Sequence, residues 1–196
     1  MMEQKVEQLI EAVKMGSLED VQKLLSQGVD VNSEEYGPGS GGNSLLYAID
    51  RSNEEMVALL VENGADVHYN RSTITPLNLA VQKTRNLVKY LIAKGADVNL
   101  LDSYGNAPLH HLAKTSNIPV SIEIAELLIE KGADINLKNS KGKTSLELAV
   151  GYGCIIMAEF FYQHGAIWNR TDDPVDSAII NHRKSIVSNI YSDRYD

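Results

Sequence analysis

One cysteine, two phenylalanines and no long apolar run narrow the possibilities for this 196-residue chain at once. Cys154 stands alone, so no disulfide can close within the chain, and a single thiol does not make a Cys-rich zinc site. Cations are in short supply: 18 Lys and Arg face 26 Asp and Glu, a formal net charge of −8. General nucleic-acid binding is thereby disfavoured, because phosphate contacts need clustered Lys and Arg. The acidic excess favours cationic or neutral partners instead. No apolar stretch approaches the roughly 20 residues needed to span a bilayer. The opening MMEQKVEQLIEAVKMG has neither the basic start nor the apolar run of a signal peptide. The expectation is a cytoplasmic protein in a reducing setting. A Ser-His-Asp set, a P-loop and a dinucleotide fingerprint are all missing, so neither an enzyme nor a cofactor is expected.

What the chain does have is repetition. KGADVN at 94–99 returns as KGADIN at 131–136, with QGVDVN, NGADVH and HGAIWN as variants. The glycines of these hexapeptides, Gly28, Gly64, Gly95, Gly132 and Gly165, are spaced by 36, 31, 37 and 33 residues. A unit of about 33 residues with small insertions and deletions fits this spacing. A second marker keeps the same register. Ala12, Ala48 and Ala149 stand sixteen residues before their glycines, and Ala80 stands fifteen before Gly95.

Each unit divides into two helical halves. TPLNLAV (75–81) opens with Thr75, a good N-cap, and Pro76, whose missing N–H costs nothing at the first helical position. Pro108 repeats the device, while Asn43 with Ser44 and Thr144 with Ser145 offer caps without it. The second half carries a one-sided apolar stripe: Val57, Leu60 and Val61 in one unit, Val88, Leu91 and Ile92 in the next. That helix runs into the hexapeptide glycine, which suits the left-handed C′ position. Helices this short are unstable alone, so stability must come from stacking pair on pair, with the small alanines permitting close approach.

These motifs resemble the ankyrin repeat. The family pattern G-x-T-P-L-H…G-A-D-V-N appears here as GNAPLHHLA with KGADIN, ITPLNLA with KGADVN, and GKTSLELA with HGAIWN. The resemblance covers about residues 3–170 and implies an all-α solenoid of helix pairs joined by β-hairpin fingers. The fingers and first helices would line a concave face that binds another protein. One domain is expected over 1–196: an N-terminal capping repeat (1–32), repeats over 33–69, 70–100, 101–137 and 138–170, and a degenerate C-terminal cap (171–196). SEEYGPGSGG (33–42) lengthens the first finger, and AKTSNIPVSIEIAE adds four residues between the helices of the fourth unit, with Pro119 starting the second helix.

The resemblance also names the partner-facing positions one by one. Finger tips would present Glu34, Glu35 and Tyr36; Tyr69 and Arg71; Leu101, Ser103 and Tyr104; and Lys141. The ends of the first helices would present Lys14, Asp50, Arg51, Lys83, Lys114 and Tyr152. Tyrosine at successive fingers suits a binding surface, since it supplies contact area at low entropic cost. His110, at the family's Thr-Pro-Leu-His position, is expected to hydrogen-bond between repeats, and Cys154 to be a half-buried turn residue. No ligand spacing for a metal accompanies His110 and His111. The expected function is non-catalytic binding of a partner protein, one with a basic surface suiting the charge, by a monomeric chain. Its rivals are an inhibitor or immunity-type protein that occludes an enzyme or toxin, a bacterial effector acting on host proteins, and an enzyme built on the two histidines.

Overall fold

The structure, a computed structural model, describes residues 2–35, 42–115 and 117–168. The chain packs as two compact units, one ending at Pro108 and one starting at Leu109, a division that falls inside the expected repeat 101–137.

The first unit contains α1 (Met2–Met15), α2 (Leu18–Ser26), α3 (Ser44–Asp50), α4 (Glu54–Glu62), α5 (Pro76–Ala80) and α6 (Arg85–Ala93). The leading helices pack in chain order, α1 on α3 and α3 on α5, and α2 lies against α4. Leu9, Ile10, Leu45, Ile49, Met56, Leu60, Leu77, Leu87 and Leu91 fill the space between them, and Ala48 and Ala80 are completely buried where α3 and α5 meet their neighbours. Side-chain caps start these helices: Asn43 Oδ1 accepts from Leu46 N at 3.1 Å, Asn53 Oδ1 from Met56 N at 3.0 Å and Thr75 Oγ1 from Asn78 N at 3.3 Å. Such caps contribute about 1 kcal/mol each, which matters in helices of five to nine residues. Each second helix ends on its hexapeptide glycine in the left-handed conformation, with φ +90° at Gly95. Nothing lies within 4 Å of a Cβ built there, so backbone strain alone selects glycine.

Polar side chains tie one repeat to the next. Asn32 Nδ2 donates to Gly64 O at 3.0 Å, and Asp66 N donates back to Asn32 Oδ1 at 2.8 Å. Fully buried Asn78 donates to Asn106 O at 2.7 Å.

The second unit holds α7 (Pro108–Leu112, beginning at the boundary), α8 (Ile118–Glu130), α9 (Ser145–Gly151) and α10 (Ile155–Gln163). Leu109, Leu112, Ile124, Leu128, Leu146 and Phe161 form its core. The four-residue insertion is absorbed as helix: α8 has 13 residues where α2, α4, α6 and α10 have nine, with Pro119 in its first turn. Thr144 and Glu147 close a reciprocal capping box at the start of α9. Asn136 repeats the work of Asn32, donating to Gly165 O at 3.3 Å and accepting from Ile167 N at 2.7 Å.

The expected β-hairpin fingers are not strand ladders. Among the described residues the one β-pairing is an isolated antiparallel bridge between Glu34 and Asn43. The reason is local: the finger at 102–106 closes on itself, with Asp102 N donating to Asn106 O at 3.0 Å, and leaves too few residues to propagate a ladder. Also among the described residues, no helix is long and apolar enough to cross a membrane. The expected C-terminal cap lies outside the described residues.

Candidate protein-docking surface

The finger between α6 and α7 is built around one aspartate. Asp102 is buried, and its Oδ1 accepts from both Tyr104 N and Asn106 N at 2.9 Å. Gly105 N donates to Asp102 O at 2.9 Å, with Gly105 at φ +70°. Ser103 Oγ pins the turn to the preceding finger through Thr73 O at 3.2 Å. The Asp102 carboxylate thus ties two backbone N–H groups of the turn, and the large side chains displayed outward are apolar: Tyr104 is 62% exposed and Leu101 40%. Large apolar groups held in water on a locked turn are candidates for burial by a partner. In the second unit Asn139 builds the same turn, accepting from Lys141 N and Lys143 N at 3.0 Å each. There the corresponding tip carries exposed Lys141 instead of a tyrosine.

The neighbouring fingers of the first unit differ. Tyr69, expected as an exposed contact, is only 7% exposed, so it is a core residue of its loop and not a free contact. Burial pushes its phenol upward in pKa, and the nearby Glu34 charge adds to this. Arg71 does face solvent, with a 3.4 Å contact to Glu34 Oε1. Glu35 is engaged internally: its Oε1 takes a 2.7 Å bond from Lys14 Nζ, and its other oxygen accepts from the Tyr47 hydroxyl. Lys14 Nζ also sits 4.4 Å from the Tyr47 ring centroid, within cation–π range. The Lys14 bond holds the Glu35 carboxyl below its ordinary range, and the same bond raises Lys14. Tyr47 is raised by its bond to Glu35. Lys14 and Glu35, expected to face a partner, instead bind each other. Tyr47 escaped the sequence reading because nothing local marks a residue that pairs across a repeat.

At the ends of the leading helices, Lys83 Nζ and Asp50 Oδ1 form a 2.8 Å ion pair, while Arg51 is exposed. In the second unit Lys114 and Tyr152 are exposed. Tyr36 lies outside the described residues. His110 is buried, with Nε2 3.1 Å from Lys143 O. Cys154 is half-buried, its sulfur 3.7 Å from Thr115 O. Among the described residues no group of three or more His, Cys, Asp or Glu is arranged to hold a metal ion.

The family model for ankyrin repeats in three copies matches residues 9–102 and 84–172. The chain belongs to the ankyrin-repeat family. Ankyrin repeats are protein–protein interaction modules, and the preformed turns above are the part of this one that varies from copy to copy. Among its relatives, the human "Ankyrin repeat and SOCS box protein 6" is 34% identical over 118 residues, 57% of this chain and 27% of that protein. The chicken "Nuclear factor NF-kappa-B p105 subunit" is 40% identical over 79 residues, 36% of this chain and 8% of that protein. A "Putative ankyrin repeat protein FPV031" of fowlpox virus is 31% identical over 105 residues, 52% of this chain and 30% of that protein. The matches therefore span less than a third of these relatives' length. Within this chain, Asn78 and His110 stand at the same place in successive repeats and reach equivalent carbonyls, Asn106 O and Lys143 O.

Proposed function

We propose that this ankyrin-repeat chain binds a partner protein through the finger that displays Leu101 and Tyr104. The observation that carries the reading is the locked turn around Asp102, which holds a 62%-exposed tyrosine and a 40%-exposed leucine in water. A surface already rigid in the free protein loses little conformational entropy on association. Tyrosine is among the residues that most often dominate interface energetics. Arg71 and Arg51 supply exposed cations in the same unit, and Asp50, paired with Lys83, a largely exposed carboxylate. In the second unit Lys114, Lys141 and Tyr152 complete the set of exposed positions.

The test begins with a partner captured from the native source on immobilised chain and then purified. Its titration against Leu101→Ala/Tyr104→Ala is expected to show Kd rising tenfold or more, the loss of about 1.4 kcal/mol or above typical of a hot spot. Circular dichroism should show the variant folded, since both side chains lie outside the core. A Kd within twofold of wild type would remove this finger from the interface.

A further inference from the structure

We propose that the groove between α2 and α4 seats a basic amphipathic helix of a partner protein. The groove encloses about 420 Å³ in the first unit. Its floor is Leu18, Ala58 and Leu59, all half-buried, and its rim is Glu19, Glu55 and Glu62, all exposed. No cationic side chain lines it. Among the described residues none of the three rim carboxylates forms an ion pair, whereas Glu34, Glu35 and Asp50 all do.

The residues from α4 fall at 55, 58, 59 and 62, the spacing of one helical face. That face therefore reads acid, apolar, apolar, acid along its length. The corresponding places on α6, 31 residues later, read Asn86, Lys89, Tyr90 and Ala93. On α8 the same places, counted back from Gly132, read Glu123, Glu126, Leu127 and Glu130, so an acidic outward face recurs on some second helices and is missing from α6. The Tyr90 hydroxyl, 3.5 Å from Ala58 O, walls the far side of α4.

The occupant follows from shape and charge. Glu55 and Glu62 are two turns apart, about 10.5 Å along the axis. Cations at i and i+7 of a helix laid along α4 match that interval. Lys or Arg stems would cover the leucines while their charged ends reach the carboxylates. Apolar residues between them would meet the floor, as in other helix-in-groove complexes. An anionic or purely apolar segment would leave three carboxylates buried without partners, which costs more than it gains. This surface shares no residue with the Leu101–Tyr104 finger, so the two readings stand or fall separately.

A fluorescein-labelled synthetic helix of 18 residues, with Leu on one face and Lys flanking it at i and i+7, is the probe. Fluorescence anisotropy is expected to show saturable binding that weakens with added NaCl, and a scrambled peptide of the same composition should bind at least tenfold more weakly. Glu19→Gln/Glu55→Gln/Glu62→Gln should raise Kd about tenfold or more, as three exposed ion pairs would. The single substitution Glu55→Lys should act in the same direction and guards against a misfolded triple variant. Leu101→Ala/Tyr104→Ala should leave the probe's Kd unchanged. Equal binding of the scrambled peptide, or an unchanged Kd in both glutamate variants, overturns the proposal.

Discussion

Lys14 Nζ and Glu35 Oε1 meet at 2.7 Å, joining the first helix to the start of the long finger. Tyr47 of α3 completes the contact from the next repeat, with its hydroxyl on the same carboxylate and its ring under the ammonium. Three segments that are far apart in sequence are fastened by one glutamate.

Glu35→Gln should lower stability at neutral pH by about 1 kcal/mol, the usual worth of a partly exposed charge-assisted bond. The folded Glu35 carboxyl titrates below its ordinary 4.5, so its stabilisation is present above that value and disappears as pH falls through the folded pKa. Lys14 has the opposite sense. Its pKa is raised above 10.5, so its stabilisation is present below that value and fades as pH rises through the folded pKa. Urea denaturation of wild type and variant between pH 7 and pH 3 should show the two curves converging at the acid end. A constant gap across that range would show that Glu35 acts by packing alone.

Tyr69→Ala should behave as a core mutation, costing about 3 kcal/mol by loss of a buried aromatic ring. Tyr69→Phe, which keeps the ring, should cost far less. Denaturation midpoints separate the two. An equally mild effect of both would contradict the 7% exposure found for this side chain.

Ser52 is the one non-glycine with positive φ among the described residues, at +54° in the turn between α3 and α4. Gly16 and Gly153, at the equivalent turns, adopt +76° and +71°. Ser52→Gly should therefore stabilise the fold by about 0.5 kcal/mol, strain relief exceeding the added freedom of the unfolded chain. A rise of one or two degrees in melting temperature is the readout, and a fall would mean that the serine side chain has a stabilising contact of its own.

His110→Asn should be tolerated better than His110→Leu. Asn78 already fills the equivalent place and donates to the corresponding carbonyl at 2.7 Å. Leucine would leave Lys143 O without its present partner, at a cost of about 1–3 kcal/mol. Thermal melts of the two variants check the order.

The repeat was legible because it is written in short-range rules. Thr75 before Pro76, Gly95 after a one-sided apolar helix, and Asp97 two residues before Asn99 each act within a few residues, and the last pair is bonded, Asn99 N to Asp97 Oδ1 at 2.8 Å. The exposed Leu101 and Tyr104 were legible for the same reason, since the Asp102 turn that displays them is local. Tyr69 is buried because it stands five residues after its hexapeptide glycine, the place of half-buried Leu100, and not nine residues after it, the place of exposed Tyr104. The pairings of Lys14 with Glu35 and of Asp50 with Lys83 were not legible, because each partner lies more than 20 positions away.

Period, caps and glycine positions were therefore determined by the sequence by itself: they depend on backbone sterics and on hydrogen bonds spanning a turn or two. Which side chains remain available to a partner was decided only in the tertiary structure. Availability depends on the charge or ring that the neighbouring repeat brings alongside, as α3 brings Tyr47 and Asp50 to Lys14 and Lys83. The same stacking sets α4 beside α2 and so makes a groove from two faces that, read singly, are ordinary solvated helix.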